Sequence, residues 1–175
     1  SMQDVERTCD VDIALRWGIG YDTTVRSFVN IIATPKGGTH LAGFENGLTR
    51  AVRDAIKTNA RRLKAGDDKP DKEDVLAGLT AVVTVRLAEP QFEGQTKEVL
   101  GTSAVRQIVS RVVTQGIKEK LSARGRQDKA QATAVMEKVV NEMKSRISAR
   151  KHKETQRRKT ALESSSLPAK LLDCR

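Results

Sequence analysis

Leu79, Ala81, Val83, Val85 and Leu87 alternate with Thr80, Val82, Thr84 and Arg86. A sustained period of two fits one local structure, a β-strand with one face buried and the other wet. The β-branched residues in the run suit a pleated, packed surface. Pro90 has no N–H to give to a ladder and ends the strand. The other elements are read around this one.

Val11, Ile13, Leu15 and Trp17 alternate with Asp12, Ala14 and Arg16, which predicts a second half-buried strand. Gly18-Ile19-Gly20 reads as a tight turn and Thr24 to Ile31 as a further strand, so these two are expected to pair as a hairpin. From Thr39, apolar residues recur at Leu41, Phe44, Leu48, Val52, Ala55 and Ile56, which predicts a helix to about Arg62. Gly66-Asp67-Asp68-Lys69-Pro70 is a polar loop. Asp71 caps a short helical turn, with Asp74 three residues on. Thr102 or Ser103 caps a helix whose face carries Val105, Ile108, Val109, Val112, Ile117 and Leu121. Arg124-Gly125-Arg126-Gln127 breaks it. A longer helix starts near Asp128 with Val135, Met136, Val139, Met143 and Ile147 on one side.

Beyond Ile147 that stripe fades into Arg150, Lys151, Lys153, Arg157, Arg158 and Lys159, with Glu154 the only acid among them. Good helix formers with nothing to pack against make either a solvent-crossing helix or a lever between domains. The order is strand, strand, helix, strand, helix, helix, with no internal repeat. A chain of 175 residues is long enough for one domain with its own core.

The formal net charge of +10 attracts phosphate polymers without reading their sequence, or else keeps a helical surface soluble. No apolar run is long enough to span a membrane, and no basic-then-apolar signal opens the chain. Cys9 and Cys174 lie at opposite ends with no partner pattern, which fits a reducing cytoplasm. His40 and His152 are isolated, and no metal-ligand spacing joins Cys, His and carboxylates. Asp10-Val11-Asp12 reads as a strand entry. There is no Ser-His-Asp set, no Cys-His pair and no glycine loop ending in Gly-Lys-Ser/Thr. The chain alone is therefore expected to hold no nucleotide and to be inactive.

Glu89-Pro90-Gln91-Phe92-Glu93-Gly94-Gln95-Thr96-Lys97 breaks at proline, passes a glycine and presents an amide, a hydroxyl and a cation in a row. A fixed cation beside a neutral donor suits a terminal phosphate. Gly37-Gly38-Thr39-His40 opens a helix after Thr34-Pro35, and the chain ends on Ala161-Leu162-Glu163-Ser164-Ser165-Ser166-Leu167-Pro168-Ala169-Lys170-Leu171-Leu172-Asp173-Cys174. These three blocks, in this order and at these separations, resemble the transducer domain of the ATPase subunit of bacterial type IIA topoisomerases. In that family it is the B subunit of DNA gyrase or its topoisomerase IV counterpart. The resemblance runs from about Val11 to Arg175.

The resemblance implies a two-layer, ribosomal-protein-like α/β fold with a left-handed β-α-β crossover and a long C-terminal helix. It implies a lead-in over 1–10, where Ser1-Met2 reads as a cloning remnant, a transducer domain over 11–160, and a linker over 161–175 toward a TOPRIM domain. It implies a full enzyme that passes one DNA duplex through a transient break in another. ATP and Mg2+ would sit in a neighbouring GHKL domain. Gln95 and Lys97 match the family's Gln-Thr-Lys motif and would reach the γ-phosphate across the domain boundary, Lys97 as the catalytic cation, with Thr96 holding loop geometry. Implied partners are DNA, an A-type subunit in a heterotetramer, and a second copy of the B subunit on ATP binding.

The helix from Arg146 to Lys159 would lie near transported DNA, with Arg150, Lys151, Arg157 and Arg158 facing phosphates. Some relatives carry a basic residue where Glu45 follows Phe44, so a DNA contact is not expected there. Glycine is common in the family where Ala169 stands. Gly37-Gly38-Thr39-His40 either holds an anion at a helix N-terminus or serves locally, and the local reading is preferred: turn glycines, a Thr39 cap and a packed His40.

Two alternatives stand beside this one. A freestanding basic nucleic-acid-binding domain of the same fold would show exposed aromatics or an RNA-binding motif, whereas Trp17, Phe28 and Phe44 sit in apolar patterns. A mismatch-repair or chaperone relative would lack the Gly37–His40 block and the terminal linker.

Overall fold

The computed structural model describes residues 9–123 and 125–164. The terminal block from Ser165 onward lies outside the described residues. In chain order the elements are β1 (Cys9–Trp17), β2 (Thr24–Val29), β3 (Ile32–Ala33), α1 (Thr39–Thr58), α2 (Ala60–Leu63), α3 (Lys72–Leu76), β4 (Leu79–Leu87), β5 (Phe92–Glu93), β6 (Val99–Leu100), α4 (Ser103–Leu121) and α5 (Arg126–Ser164). The fold is α/β. A mixed four-stranded sheet runs in the order β1-β4-β2-β3, and β5-β6 form a separate small hairpin.

The expected β1–β2 hairpin does not form, because β4 lies between the two strands. β1 runs antiparallel to β4 with Ile13 opposite Val83, and β2 runs parallel to β4 with Ser27 opposite the same residue. The connection from Gly18 to Thr23 is longer than a two-residue hairpin turn. It is long enough to step over one strand, about 10 Å. Gly78 is what it steps over. Gly18 N–H donates to the Gly78 carbonyl at 2.8 Å, and Gly78 N–H donates to the Tyr21 carbonyl at 3.2 Å. At φ +70 only glycine sits there easily, and a Cβ would overlap the Gly20 carbonyl oxygen. The chain thus enters β4 through the arch of the β1–β2 connection. Because β2 and β4 are parallel neighbours, a crossover must join them, and α1 through α3 provide it.

The period read from β4 is borne out. Leu79, Ala81, Val83, Val85 and Leu87 are buried, while the intervening side chains face outward. On the buried face α1 contributes Phe44, Leu48, Val52 and Ile56. Asn59 interrupts the helix expected to reach Arg62, and α2 follows as a single turn.

The stripe of α4 differs from the expected one: Val105, Val109 and Val113 are buried, whereas Val112 is 45% exposed. Gly43 and Gly47 explain the shift. A Cβ at Gly43 would lie 2.6 Å from the Arg106 carbonyl oxygen, and one at Gly47 the same distance from that of Ser110. Two glycines four residues apart let the α4 backbone touch α1, which turns Val109 and Val113 onto the contact.

α5 has two halves. Ala132, Met136, Val139, Val140 and Met143 are buried against the body. Arg146 then clamps the helix to α3. Its Nε and Nη2 reach both oxygens of Asp74 at 2.9 Å, and its Nη1 reaches Asp71 at 2.9 Å. Asp71 and Asp74 are the expected capping box, with Asp71 N–H donating to Asp74 at 2.8 Å. From Ser148 to Ala161 every side chain is exposed. At 1.5 Å per residue the arm to Ser164 is about 25 Å long. It continues past the boundary expected at 160.

The glycines separate packing from propensity. Gly47→Ala should cost about 2–3 kcal/mol, because the added methyl forces α1 and α4 apart. Gly116, in α4, has nothing within 4 Å of where a Cβ would stand, so Gly116→Ala should gain about 0.5–1 kcal/mol. Urea denaturation of the 175-residue chain reads both.

Candidate functional site

Gln95, Thr96 and Lys97 form the tip of the β5–β6 hairpin, in which Phe92 pairs with Leu100 and Glu93 with Val99. All three tip residues are exposed. Gly94 turns at φ 81, and Lys97 itself adopts φ 54, a conformation a non-glycine residue rarely takes. Among the described residues, the side chains of Gln95 and Lys97 make no hydrogen bond and no ion pair. Their donors are available.

The base of the hairpin is fixed on both strands. On one side, Gly101 N–H donates to the Gln91 carbonyl at 2.8 Å, and Gln91 N–H donates to Thr102 Oγ1 at 3.0 Å. Thr102 occupies the N-cap position of α4, as expected, but its buried hydroxyl serves Gln91 and makes no cap bond. On the other side, Leu100 N–H donates to the Gly37 carbonyl at 3.2 Å, and Leu100 forms a parallel bridge with Gly38. A Cβ on Gly38 would lie 2.5 Å from both the nitrogen and the oxygen of Leu100.

The Gly37–His40 block is therefore the seat of the hairpin as well as the start of α1. Gly37 and Gly38 have φ 78 and 136, the positive values expected of turn glycines. Thr39 does not cap the helix. Gly38 is the N-cap, and the Thr39 hydroxyl is buried with no hydrogen-bond partner among the described residues. The cap position needs a residue without a side chain because Leu100 packs on it. His40 packs as expected. It is fully buried, and its Nε2 lies 3.1 Å from the Thr34 hydroxyl, which in turn donates to the Ser27 carbonyl at 3.0 Å. Burial pushes the imidazole down to about 4.

Two charged residues at the hairpin carry no signal in the sequence. Lys36 Nζ lies 2.5 Å from Glu98 Oε2, and Thr96 donates its hydroxyl to the same oxygen at 3.3 Å. The hydrogen bond from Lys36 holds the Glu98 carboxyl below its ordinary range. Both residues flank a motif, one before Gly37 and one after Lys97. No local pattern announces that they meet.

The basic residues of α5 stand apart from the hairpin. Arg150, Lys151, Arg157 and Arg158 share one face of the exposed arm, since 100° per residue brings positions seven apart nearly into line. Arg158 pairs with Glu154 at 2.9 Å, while Arg150, Lys151 and Arg157 have no ionic partner among the described residues. Glu45 is held by Lys72 at 2.9 Å. Of the aromatic residues only Tyr21 is largely exposed, at 75%. No three potential metal ligands cluster among the described residues, and no described helix is long and apolar enough to cross a membrane.

The family model for DNA gyrase B matches residues 1–155. The DNA gyrase B subunit of Treponema denticola is 47% identical over 165 residues, covering 93% of this chain and 25% of that protein. Its Streptomyces coelicolor counterpart is 38% identical over 172 residues, covering 98% of this chain and 24% of its own length. The chain thus spans about a quarter of the curated relatives it matches. Among solved structures, the 43K ATPase domain of Thermus thermophilus gyrase B, in complex with an aminocoumarin, superposes with a TM-score of 0.71 at 30% identity, over 85% of this chain and 40% of that one. The topoisomerase IV ATP-binding domain of Francisella tularensis gives 0.68 at 29% identity, over 79% and 37%.

His40 makes stability depend on pH. Its folded value of about 4 lies below the ordinary 6.5. Between the two, the unfolded chain binds the proton and the folded chain does not. Stability is complete above pH 6.5 and falls as pH drops from 6.5 through 4, by roughly 3 kcal/mol in all. Urea midpoints across that range measure the slope, and His40→Gln should flatten it.

Proposed function

The chain belongs to the DNA gyrase B family, and from that premise we propose that it is the transducer segment of an ATP-dependent type II DNA topoisomerase B subunit. In this reading it couples ATP binding and hydrolysis in a neighbouring GHKL domain to DNA-gate motion and strand passage. The observation that carries the reading is the hairpin: Gln95 and Lys97 stand exposed and unpartnered on a base pinned at Gly37, Gly38, Gly101 and Thr102.

The donor set fits a phosphate. An ammonium and an amide side by side are the groups a terminal phosphate accepts from. ATP, with Mg2+, belongs to the neighbouring domain and supplies the γ-phosphoryl. Lys97 stabilises the charge on that phosphoryl group only while the two domains are closed. Gln95 orients the same oxygens. Thr96, bonded to Glu98, keeps the tip in shape. After the phosphate departs, Lys97 loses its partner and the closed arrangement loses a contact.

A fixed base turns that contact into a force on the body. Through Gly37 and Gly38 the hairpin is joined to α1, and through Gly101 and Thr102 to α4. α1 and α4 meet backbone to backbone at Gly43 and Gly47, and Arg146 ties α5 to α3. The exposed arm of α5 then points toward the next domain, with Arg150, Lys151, Arg157 and Arg158 near transported DNA. Phosphate contacts suit passage because they read no sequence. A second copy of the B subunit and an A-type subunit complete the cytoplasmic assembly. The scarcity of exposed aromatics speaks against a freestanding single-strand binder.

Two measurements test the reading. In a full-length protein carrying this sequence, Lys97→Ala should leave the fold intact and slow ATP hydrolysis on the order of a hundredfold, the effect of losing about 3 kcal/mol of charge stabilisation. Lys97→Arg should recover only part of it, and DNA cleavage without nucleotide should persist. Hydrolysis by Lys97→Ala at the parental rate would sink the assignment. The 175-residue chain itself should bind duplex DNA weakly, alike for unrelated sequences, with steep loss as salt rises. A strong preference for one sequence at physiological salt would contradict the transducer role.

A further inference from the structure

The tip of the hairpin brings together two charges with opposite effects on a phosphate. Glu98 follows Lys97 in the chain, and its bond to the Thr96 hydroxyl keeps its carboxylate at the same tip as the donors of Gln95 and Lys97. An unscreened negative charge there would oppose the incoming phosphate. Glu93, the other carboxylate of the hairpin, folds over Gly101 at the base, with its Cγ 3.1 Å from where a Gly101 Cβ would stand. Glu98 has no such retreat, and its Oε2 is within 3.3 Å of the Thr96 hydroxyl.

Lys36 resolves the conflict. Its ammonium lies 2.5 Å from Glu98 Oε2. Its backbone is placed by the neighbouring residue, because the Gly37 carbonyl accepts the Leu100 N–H. Lys36 is therefore delivered to Glu98 by the same seat that holds the hairpin. Its contribution to stability is small, since the side chains are 68% and 32% exposed and such pairs add little to folding. The pair acts on the field at the tip.

Resting on the reading of Lys97 as the phosphate contact, we propose that Lys36 is a positioning residue for that contact: it neutralises Glu98, so that the carboxylate adjoining Lys97 neither repels the γ-phosphate nor draws the Lys97 ammonium onto itself. The ligand class is the terminal phosphate of a nucleoside triphosphate. The device joins two motifs that are distant in sequence into one charge-balanced site.

The sign of two substitutions decides between this role and a mechanical latch. In the full-length protein, Lys36→Met exposes the Glu98 charge and should raise KM for ATP about fivefold, the scale of one partly screened unit charge at short range. Glu98→Gln removes that charge and should lower KM. The double variant should return toward the parental value, and Lys36→Arg should recover most of what Lys36→Met loses. The shifts should fall on KM more than on kcat and shrink as salt rises. If both single variants move KM in the same direction and the double is no worse than either, the pair is a latch and the proposal fails. If neither moves KM while Lys97→Ala in the same preparation is impaired, this proposal fails and the Lys97 reading survives. Parental turnover by Lys97→Ala removes the reading beneath both.

Discussion

The backbone of Leu100 lies directly on Gly38. Any side chain at Gly38 would overlap it, so the hairpin and the start of α1 can meet only through glycine. Much else is set by that contact. It places β6, and with β6 the tip that bears Gln95, Thr96 and Lys97. It fixes Lys36 against Glu98. It also forces the first turn of α1 to go without a side-chain cap, which with glycine in the cap position costs only about 0.3 kcal/mol. The buried His40–Thr34–Ser27 chain of hydrogen bonds underlies the same turn and links it to β2.

From this seat the body is tied together by close backbone contacts and a buried clamp. The Gly43 and Gly47 contacts remove the usual side-chain layer between α1 and α4, so a displacement of one helix has no soft layer to absorb it. α3 serves a similar end for α5. Asp74 is nearly buried and grips Arg146 with two oxygens, a geometry stronger and more directional than an exposed ion pair. Lys138 adds a second tie, donating to the Ala77 carbonyl at 3.1 Å and the Gly20 carbonyl at 3.2 Å. These residues bind the arch over β4, the end of α3 and the long helix together.

Periodicity makes the long elements legible, because β4, α1 and the buried half of α5 each carry one apolar face at one period. It cannot show the strand order. Two adjacent amphipathic strands look like a hairpin, and only the threading of Gly78 through the arch separates them. In α4 the buried stripe departs from the apolar pattern, since such patterns do not register the close approach that Gly43 and Gly47 permit. At the site, the exposed tip is legible from its polar residues and from Gly94. The base is not. Its bonds run from backbone to backbone or to Thr102, and the meeting of Lys36 with Glu98 follows from the fold alone. Thr39 resembles a cap because it is a threonine before an apolar run, and the requirement of Leu100 for a glycine is invisible in the sequence.

The exposed half of α5 raises a last physical question: why a helix with no apolar face holds its form. Nucleation is the costly step, and the buried half supplies it. Once Met136, Val139, Val140 and Met143 are packed and Arg146 is clamped, each further residue only extends an existing helix. The arm is rich in Lys, Arg, Glu and Gln, which lose little on helix formation. Glu154 stands four residues before Arg158, the favourable order for such a pair, and His152 lies 3.2 Å from Gln156. A helix held this way is stiff over a span of about 25 Å without depending on any partner for its shape. Its basic face is exposed, and its course is set where Arg146 grips α3. The arm and the body are joined at the clamp between Arg146 and Asp74, where two guanidinium nitrogens meet two carboxylate oxygens.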